Sequence, residues 1–276
     1  MTANLGLQAE PLPLPKTEVL VDSCALMTDR RFGGLARLYG ALGAQRIAKA
    51  HVAVIGIGGV GSWSAEALAR SGVGHLTLVD LDHVTESNIN RQIHAVDATL
   101  GQAKVLAMRD RILSFNPACE VTCIEEFVGS VNWPTLLPEG VDAVIDACDQ
   151  VKAKTAMAAW ARDSRTLFIS VGAAGGKRHA HMVDIDDLAH TTHDPLLAQV
   201  RYRLRKEHDA PSEGKKIGVT CVFSREGVKA PDALNATDGD VDGTLNCHGY
   251  GSVVSVTATF GQCAAGWILD QISQKS

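Results

Sequence analysis

The segment His51-Val-Ala-Val-Ile-Gly-Ile-Gly-Gly-Val-Gly-Ser62 constrains this chain more than any other stretch. An apolar run of strand length leads straight into a glycine-rich turn and then into a helical pattern. That order opens a nucleotide-binding βαβ unit. Gly56, Gly58 and Gly61 match G-x-G-x-x-G, where the first glycine makes the tight turn, the second lets backbone approach a phosphate and the third packs helix on strand. Gly59 adds a fourth glycine and further exposed N–H groups. A helix N-terminus behind the turn contributes unpaired N–H donors and a positive dipole end. The segment therefore points to a bound phosphate and leaves dinucleotide and triphosphate both open.

The residues downstream choose between them. A second strand-like run, His75 to Asp80, ends on an acid 19 positions beyond Gly61, where a carboxylate takes ribose hydroxyls. The chain continues through Asp82, Asn88, Arg91 and Gln92 to Lys104, and later through Val144-Ile-Asp-Ala-Cys-Asp149. Arg91 offers a planar fork and Lys104 a point charge, and both fall where they can meet phosphate oxygens. Asp149 follows the apolar run 141–147, at the carboxyl end of the expected sheet, where a carboxylate can hold Mg²⁺ against phosphates. Each charge taken singly also reads as a solvated surface group. A nicotinamide dehydrogenase leaves Arg91, Lys104 and Asp149 unused, whereas ATP with Mg²⁺ employs all three.

Strand-like runs at 51–56, 75–80, 119–124, 141–147 and 167–171 alternate with helix-like runs at 60–71, 99–114 and 150–163. The expected class is α/β, a doubly wound, mostly parallel, Rossmann-like sheet with a decorated C-terminal half. With 276 residues, 46% of them apolar, and no linker in the middle, the chain reads as an N-terminal extension, 1–22, and one domain, 23–276. That domain divides into a nucleotide-binding half, 23–175, and a substrate or dimer half, 176–276, whose stretch 209–251 reads as mobile loop around a short strand, 217–223. Residues 251–270 are apolar, but Gln262 and several Ser/Thr interrupt the run, which favours a core or dimer helix over a membrane span.

Seven cysteines stand at 24, 119, 123, 148, 221, 247 and 263 with no C-x-x-C pair, so neither a zinc site nor a disulfide framework is expected. That usage, and an N-terminus without a basic and apolar leader, suit a reducing cytoplasm. Cys221 and Cys247 each read either as a buried or idle thiol or as a nucleophile. A formal charge of −5 argues against indiscriminate nucleic-acid binding. Basic residues nonetheless cluster in the C-terminal half at Lys177, Arg178, Arg201 to Lys206, Lys215 and Lys216, as a solvated helix face or as phosphate contacts.

The Gly-x-Gly-Gly-x-Gly turn, the Asp80-x-Asp82 pair, Asn88-x-x-Arg91-Gln92, Lys104 and Asp149 resemble the adenylating enzymes of the ubiquitin-activating, or E1-like, superfamily over roughly residues 30 to 175. The stretches Arg31 to Gly40, Ile55 to Trp63, Asn90 to His94, Gly218 to Ser224 and Thr257 to Gly261 look like the branch that cyclises N6-threonylcarbamoyladenosine in tRNA. This resemblance implies ATP and Mg²⁺ in the glycine pocket, with Gly56, Gly58, Gly59, Gly61, Asp80, Asp82, Asn88, Arg91, Gln92 and Lys104 as the binding set. It implies catalytic roles for Arg91, Lys104 and Asp149, and a homodimer in which Arg37, or alternatively Arg31, completes the partner's site. The reaction implied is ATP-dependent activation of the threonyl carboxylate, through an acyl-adenylate or an acyl-phosphate, followed by ring closure with net loss of water. A tRNA substrate would engage Lys177, Arg178, Arg201, Lys215 and Lys216. Related superfamily members act on sulfur-carrier or ubiquitin-like proteins, which leaves a protein C-terminus as the alternative substrate and implies a cysteine desulfurase or sulfur-acceptor system as a further partner. A non-catalytic RNA-binding module is the third alternative.

Overall fold

The computed structural model describes residues 30–164, 166–229 and 250–275. Among the described residues seven strands form one sheet: β1 (His51–Ile55), β2 (His75–Val79), β3 (Glu120–Ile124), β4 (Ala143–Asp146), β5 (Leu167–Val171), β6 (Val183–Asp187) and β7 (Thr220–Ser224). Their order is β3-β2-β1-β4-β5-β7-β6, parallel throughout except for the antiparallel β6–β7 pair at one edge. The expected doubly wound sheet is therefore present. β1 has β2 on one side and β4 on the other, so the chain reverses its direction of winding there, and the crevice beyond the carboxyl ends of β1 and β4 is the switch point where such sheets bind ligands.

Alternation along β1 explains the two layers. Val52 and Val54 face a core shared with α2 (Gly61–Arg70), α3 (Lys104–Phe115) and α6 (Val254–Gln274). Ala53 and Ile55 face the opposite core, under α4 (Val151–Ser164) and α5 (Pro195–Glu207). A parallel strand buried on both faces needs apolar residues at every position, as this one has. The apolar stretch 251–270 supplies α6, whose Val256, Phe260, Ala264, Ala265, Ile268 and Ile272 are buried. Among the described residues no helix is long and apolar enough to cross a membrane. α6 lies so close to α2 that a Cβ on Gly261 would strike the Val60 carbonyl. Truncating Phe260 in such a contact costs about 3–5 kcal/mol.

Element boundaries follow local chemistry. The helix expected from residue 99 starts at Lys104, because 97–99 form a 3₁₀ turn and Gly101 takes φ 82°, which ends it. α1 (Gly33–Lys49) was not foreseen; it is kinked at Gly40, φ 74°, and weakly amphipathic, with Leu38 and Leu42 exposed. Within 209–251, residues Ile217, Val219 and Cys221 to Phe223 are buried, and the stretch enters the sheet as β7. The rest of that stretch, 230–249, lies outside the described residues, as does the extension 1–22.

Candidate active site

Beyond the carboxyl ends of β2, β1, β4 and β5 lies a cavity of about 520 Å³. Its first half is the glycine turn. Gly56, Gly58 and Gly59 line it, while Gly61 sits behind, where a side chain would collide with the Gly56 carbonyl. The turn can therefore close only with glycine at position 61. Val60 offers the N-terminus of α2 no side-chain cap; the Ser62 and Trp63 N–H groups bond the Gly58 and Val60 carbonyls within the turn, and the positive end of the helix dipole lies behind the glycine turn. Asp80 closes the opposite wall: its Oδ2 accepts the Ile57 N–H at 2.6 Å and its Oδ1 the Asp82 N–H at 2.8 Å. Those bonds fix the carboxylate against the turn. Burial pushes the Asp80 carboxyl up from its ordinary range, and Lys104 pulls against that rise.

The cations arrive from two loops. Lys104, at the first position of α3, is buried and its Nζ lies 2.7 Å from the exposed carboxylate of Asp82. Arg91 lays its aliphatic stem along Gly59 and donates to the Ser87 carbonyl at 2.6 Å and to Asn90 at 2.8 Å. Asn88 caps the short turn that carries Arg91, its Oδ1 accepting the Thr85 N–H. Gln92 is buried on the cavity wall, and its Oε1 has no partner among the described residues. An uncapped helix, an ammonium held by a single exposed carboxylate and an orphaned amide oxygen together fit a polyphosphate with a ribose.

Asp149 is exposed at the rim, just past β4. No three His, Cys, Asp or Glu side chains converge among the described residues, so a divalent cation here would depend on phosphate oxygens together with Asp149. Behind this rim stands a group that the sequence reading missed. Asp146 and Lys154 are both fully buried and 2.8 Å apart, and Asp146 also accepts the Ser170 hydroxyl at 2.6 Å. The Cys148 N–H and thiol both donate to the other oxygen of Asp146. Burial, reinforced by Asp146, pushes the Cys148 thiol well up, so it lines the cavity as a neutral group. An acid ending a strand with a lysine eight residues on, inside a helix, was the signal available.

The remaining expectations separate. Arg31 and Arg37 are exposed and line no part of their own chain's cavity; Phe32, beside Arg31, packs at Gly72, just beyond the far end of α2 from the glycine turn. Lys177 does not face solvent: it is buried, and its ammonium donates to the His193 and Glu226 carbonyls at 3.1 Å each. Arg201 is likewise committed, to the Leu188 and Thr191 carbonyls and the Thr191 hydroxyl. Lys215 and Lys216 precede β7, which runs parallel to β5, and so lie at the amino ends of the strands, opposite the cavity. Of the five cations assigned to substrate, Arg178 alone is both exposed and at the carboxyl end. Cys221 is a buried core thiol pushed well up by burial, and Cys247 lies outside the described residues.

Fold and cavity together define an α/β protein built to bind a nucleoside polyphosphate at its switch point. The chain belongs to the ThiF family, whose model it matches over residues 31–276. It is 41% identical over 249 residues to a tRNA threonylcarbamoyladenosine dehydratase of Haemophilus influenzae, covering 90% of this chain and 95% of the relative. The enzyme of the same name from Escherichia coli is 42% identical over 255 residues, with the same coverage. The crystal structure of the Escherichia coli protein in complex with ATP superposes with a TM-score of 0.79 at 41% identity, over 88% of this chain and 93% of that one. Its AMP complex gives 0.80. Similarity to the molybdopterin-synthase adenylyltransferase of Escherichia coli, 34% identical, is confined to 48% of this chain.

Proposed function

We propose that this protein is an ATP-dependent tRNA threonylcarbamoyladenosine dehydratase, which activates the threonyl carboxylate of N6-threonylcarbamoyladenosine and promotes its cyclisation. The observation that carries the reading is the convergence of the glycine turn, Asp80, Arg91, Lys104 and Asp149 on one cavity, in a chain similar along nearly its whole length to enzymes of that name. Similarity to the molybdopterin-synthase adenylyltransferase covers only about half the chain, against 90% for the tRNA-modifying relatives.

Asp80 holds the ribose from the end of β2, and the α2 N-terminus and glycine amides receive the phosphates. Lys104 exchanges its bond with Asp82 for phosphate oxygens, and Arg91 reaches the same oxygens from across the turn. Asp149, together with phosphate oxygens of ATP, would hold a Mg²⁺ ion, which when bound would supply neutralisation of phosphate charge. These groups place the carboxylate against the α-phosphate and stabilise the charge that develops there. Activation converts a poor leaving oxygen into a good one, the neighbouring carbamoyl group closes the ring, and one water is lost overall. An acyl-adenylate and an acyl-phosphate would use nearly the same residues of this cavity. The protein is a homodimer in which Arg37, or alternatively Arg31, serves the partner's site; both are exposed and outside their own chain's cavity. Arg178 is the preferred contact for tRNA phosphate, and the protein works in the cytoplasm.

The test is mass analysis of nucleosides from tRNA incubated with the protein, ATP and Mg²⁺. Threonylcarbamoyladenosine should lose 18 Da, one water, only when all components are present. ATP turnover that requires a small Gly-Gly-ending protein instead of tRNA would overturn the reading.

A further inference from the structure

The cavity extends past the glycine-turn half to the ends of β4 and β5. It spans the ends of four adjacent strands, about 14 Å at 4.8 Å per spacing. Beyond β1 its wall is built by Cys148 and Asp149 on one side and by Gly172 to Ala174 and Leu196 on the other. If ATP occupies the glycine-turn half, this second lobe is left for the group that ATP activates.

The Gly172 to Ala174 wall has no regular structure of its own, since β5 ends at Val171. It is held from behind by Asp194. This carboxylate is buried and bridges two elements: Oδ2 accepts the Ala173 N–H at 2.9 Å, and Oδ1 accepts the Leu197 N–H at 3.0 Å as the N-cap of α5. Gly172 lacks a side chain at the one place where a Cβ would land on the Asp194 carboxylate. Lys177 ties the neighbouring His193 carbonyl to the same loop. Burial pushes the Asp194 carboxyl up, while the Leu197 N–H and Lys177 favour its charged form.

We infer that Asp194 is a positioning residue for the second lobe, fixing the wall that receives the modified nucleoside while leaving the ATP half untouched. The inference rests on the functional reading above. A wall held by a short charge-assisted bond stays in register with the glycine turn, and misplacement by an ångström costs on the order of 100-fold in a reaction that depends on alignment.

Two variants separate this role from simple helix capping. Asp194→Asn keeps an oxygen for Leu197 but turns an amide donor toward the Ala173 N–H; Asp194→Ser keeps a good N-cap too short to serve both elements. Both are expected to hold Kd for ATP within about twofold by calorimetry, while kcat/KM for threonylcarbamoyladenosine-containing tRNA falls on the order of 10- to 100-fold, mostly in kcat. Wild-type tRNA turnover in both variants would overturn the inference. So would a fall in ATP affinity and melting temperature that parallels the activity loss, because the role would then be structural. Absence of water loss with the wild-type protein would instead refute the functional reading itself.

Discussion

Lys154→Met is the sharpest test of how the rim of the cavity is built. The substitution removes the ammonium and keeps most of the stem, so the packing of α4 is preserved while Asp146 loses its cation. In the wild-type protein both charges are fully buried, with the Ser170 hydroxyl and the Cys148 N–H completing the cluster. Removing one partner of such a pair costs about 3–5 kcal/mol. At about 2–4 °C per kcal/mol for a chain of roughly this size, Tm should fall on the order of 10 °C. Asp146→Asn should cost a similar amount. The double variant should be more stable than the sum of the singles predicts, by about 1–3 kcal/mol, since neither charge is then stranded. Urea unfolding followed by circular dichroism, with m checked in each variant, gives the four free energies. A loss below about 1 kcal/mol for Lys154→Met, or an additive cycle, would refute the argument that the pair is buried and coupled.

Three further outcomes follow from the site. His94 is buried against Lys104 and Arg111, and burial first, then those cations, hold it down at about 4. The unfolded chain thus takes up that proton more readily, so its contribution is intact above about pH 6.5 and is lost as pH falls toward 4, worth about 3 kcal/mol over the window; His94→Gln should flatten the pH dependence of unfolding by that amount. Asp80→Ala should weaken ATP binding strongly by calorimetry, whereas Arg91→Ala, Lys104→Ala and Asp149→Ala should each lower turnover on the order of 100-fold with little change in melting, and full activity would remove a residue from the site. Mixing an Arg37→Ala protein with a Lys104→Ala protein should restore part of the activity if subunits share sites; no rescue in freely exchanging dimers counts against Arg37.

The nucleotide half was legible because its chemistry is local. A glycine pattern, an acid ending a strand and cations on the following loops are adjacent in sequence, and Gly56, Gly58, Gly59, Asp80, Asp82, Asn88, Arg91, Gln92, Lys104 and Asp149 do line one cavity. The second lobe was not legible, because Ala173 meets Asp194 only after the chain has left the sheet, crossed β6 and returned. Basic residues misled for a related reason. Sequence shows the charge of Lys177 and Arg201 but not that carbonyls from distant loops surround it. Nor does it show which end of a strand a preceding loop occupies, which is what sets Lys215 and Lys216 far from the cavity.

The antiparallel strand that ends the sheet has a consequence for how copies of this protein can meet. β6 carries Asp184, Asp186 and Asp187 within five residues, and Asp184 is engaged by Arg225 from β7's end. Asp184 and Asp186 fold back to accept the N–H groups of Ile185 and Asp187, so a foreign strand laid along that margin would meet carboxylates where it needs donors. The opposite margin, β3, begins with the exposed Glu120. Ladder extension is disfavoured at the aspartate margin, which guards the sheet against runaway polymerisation from that side.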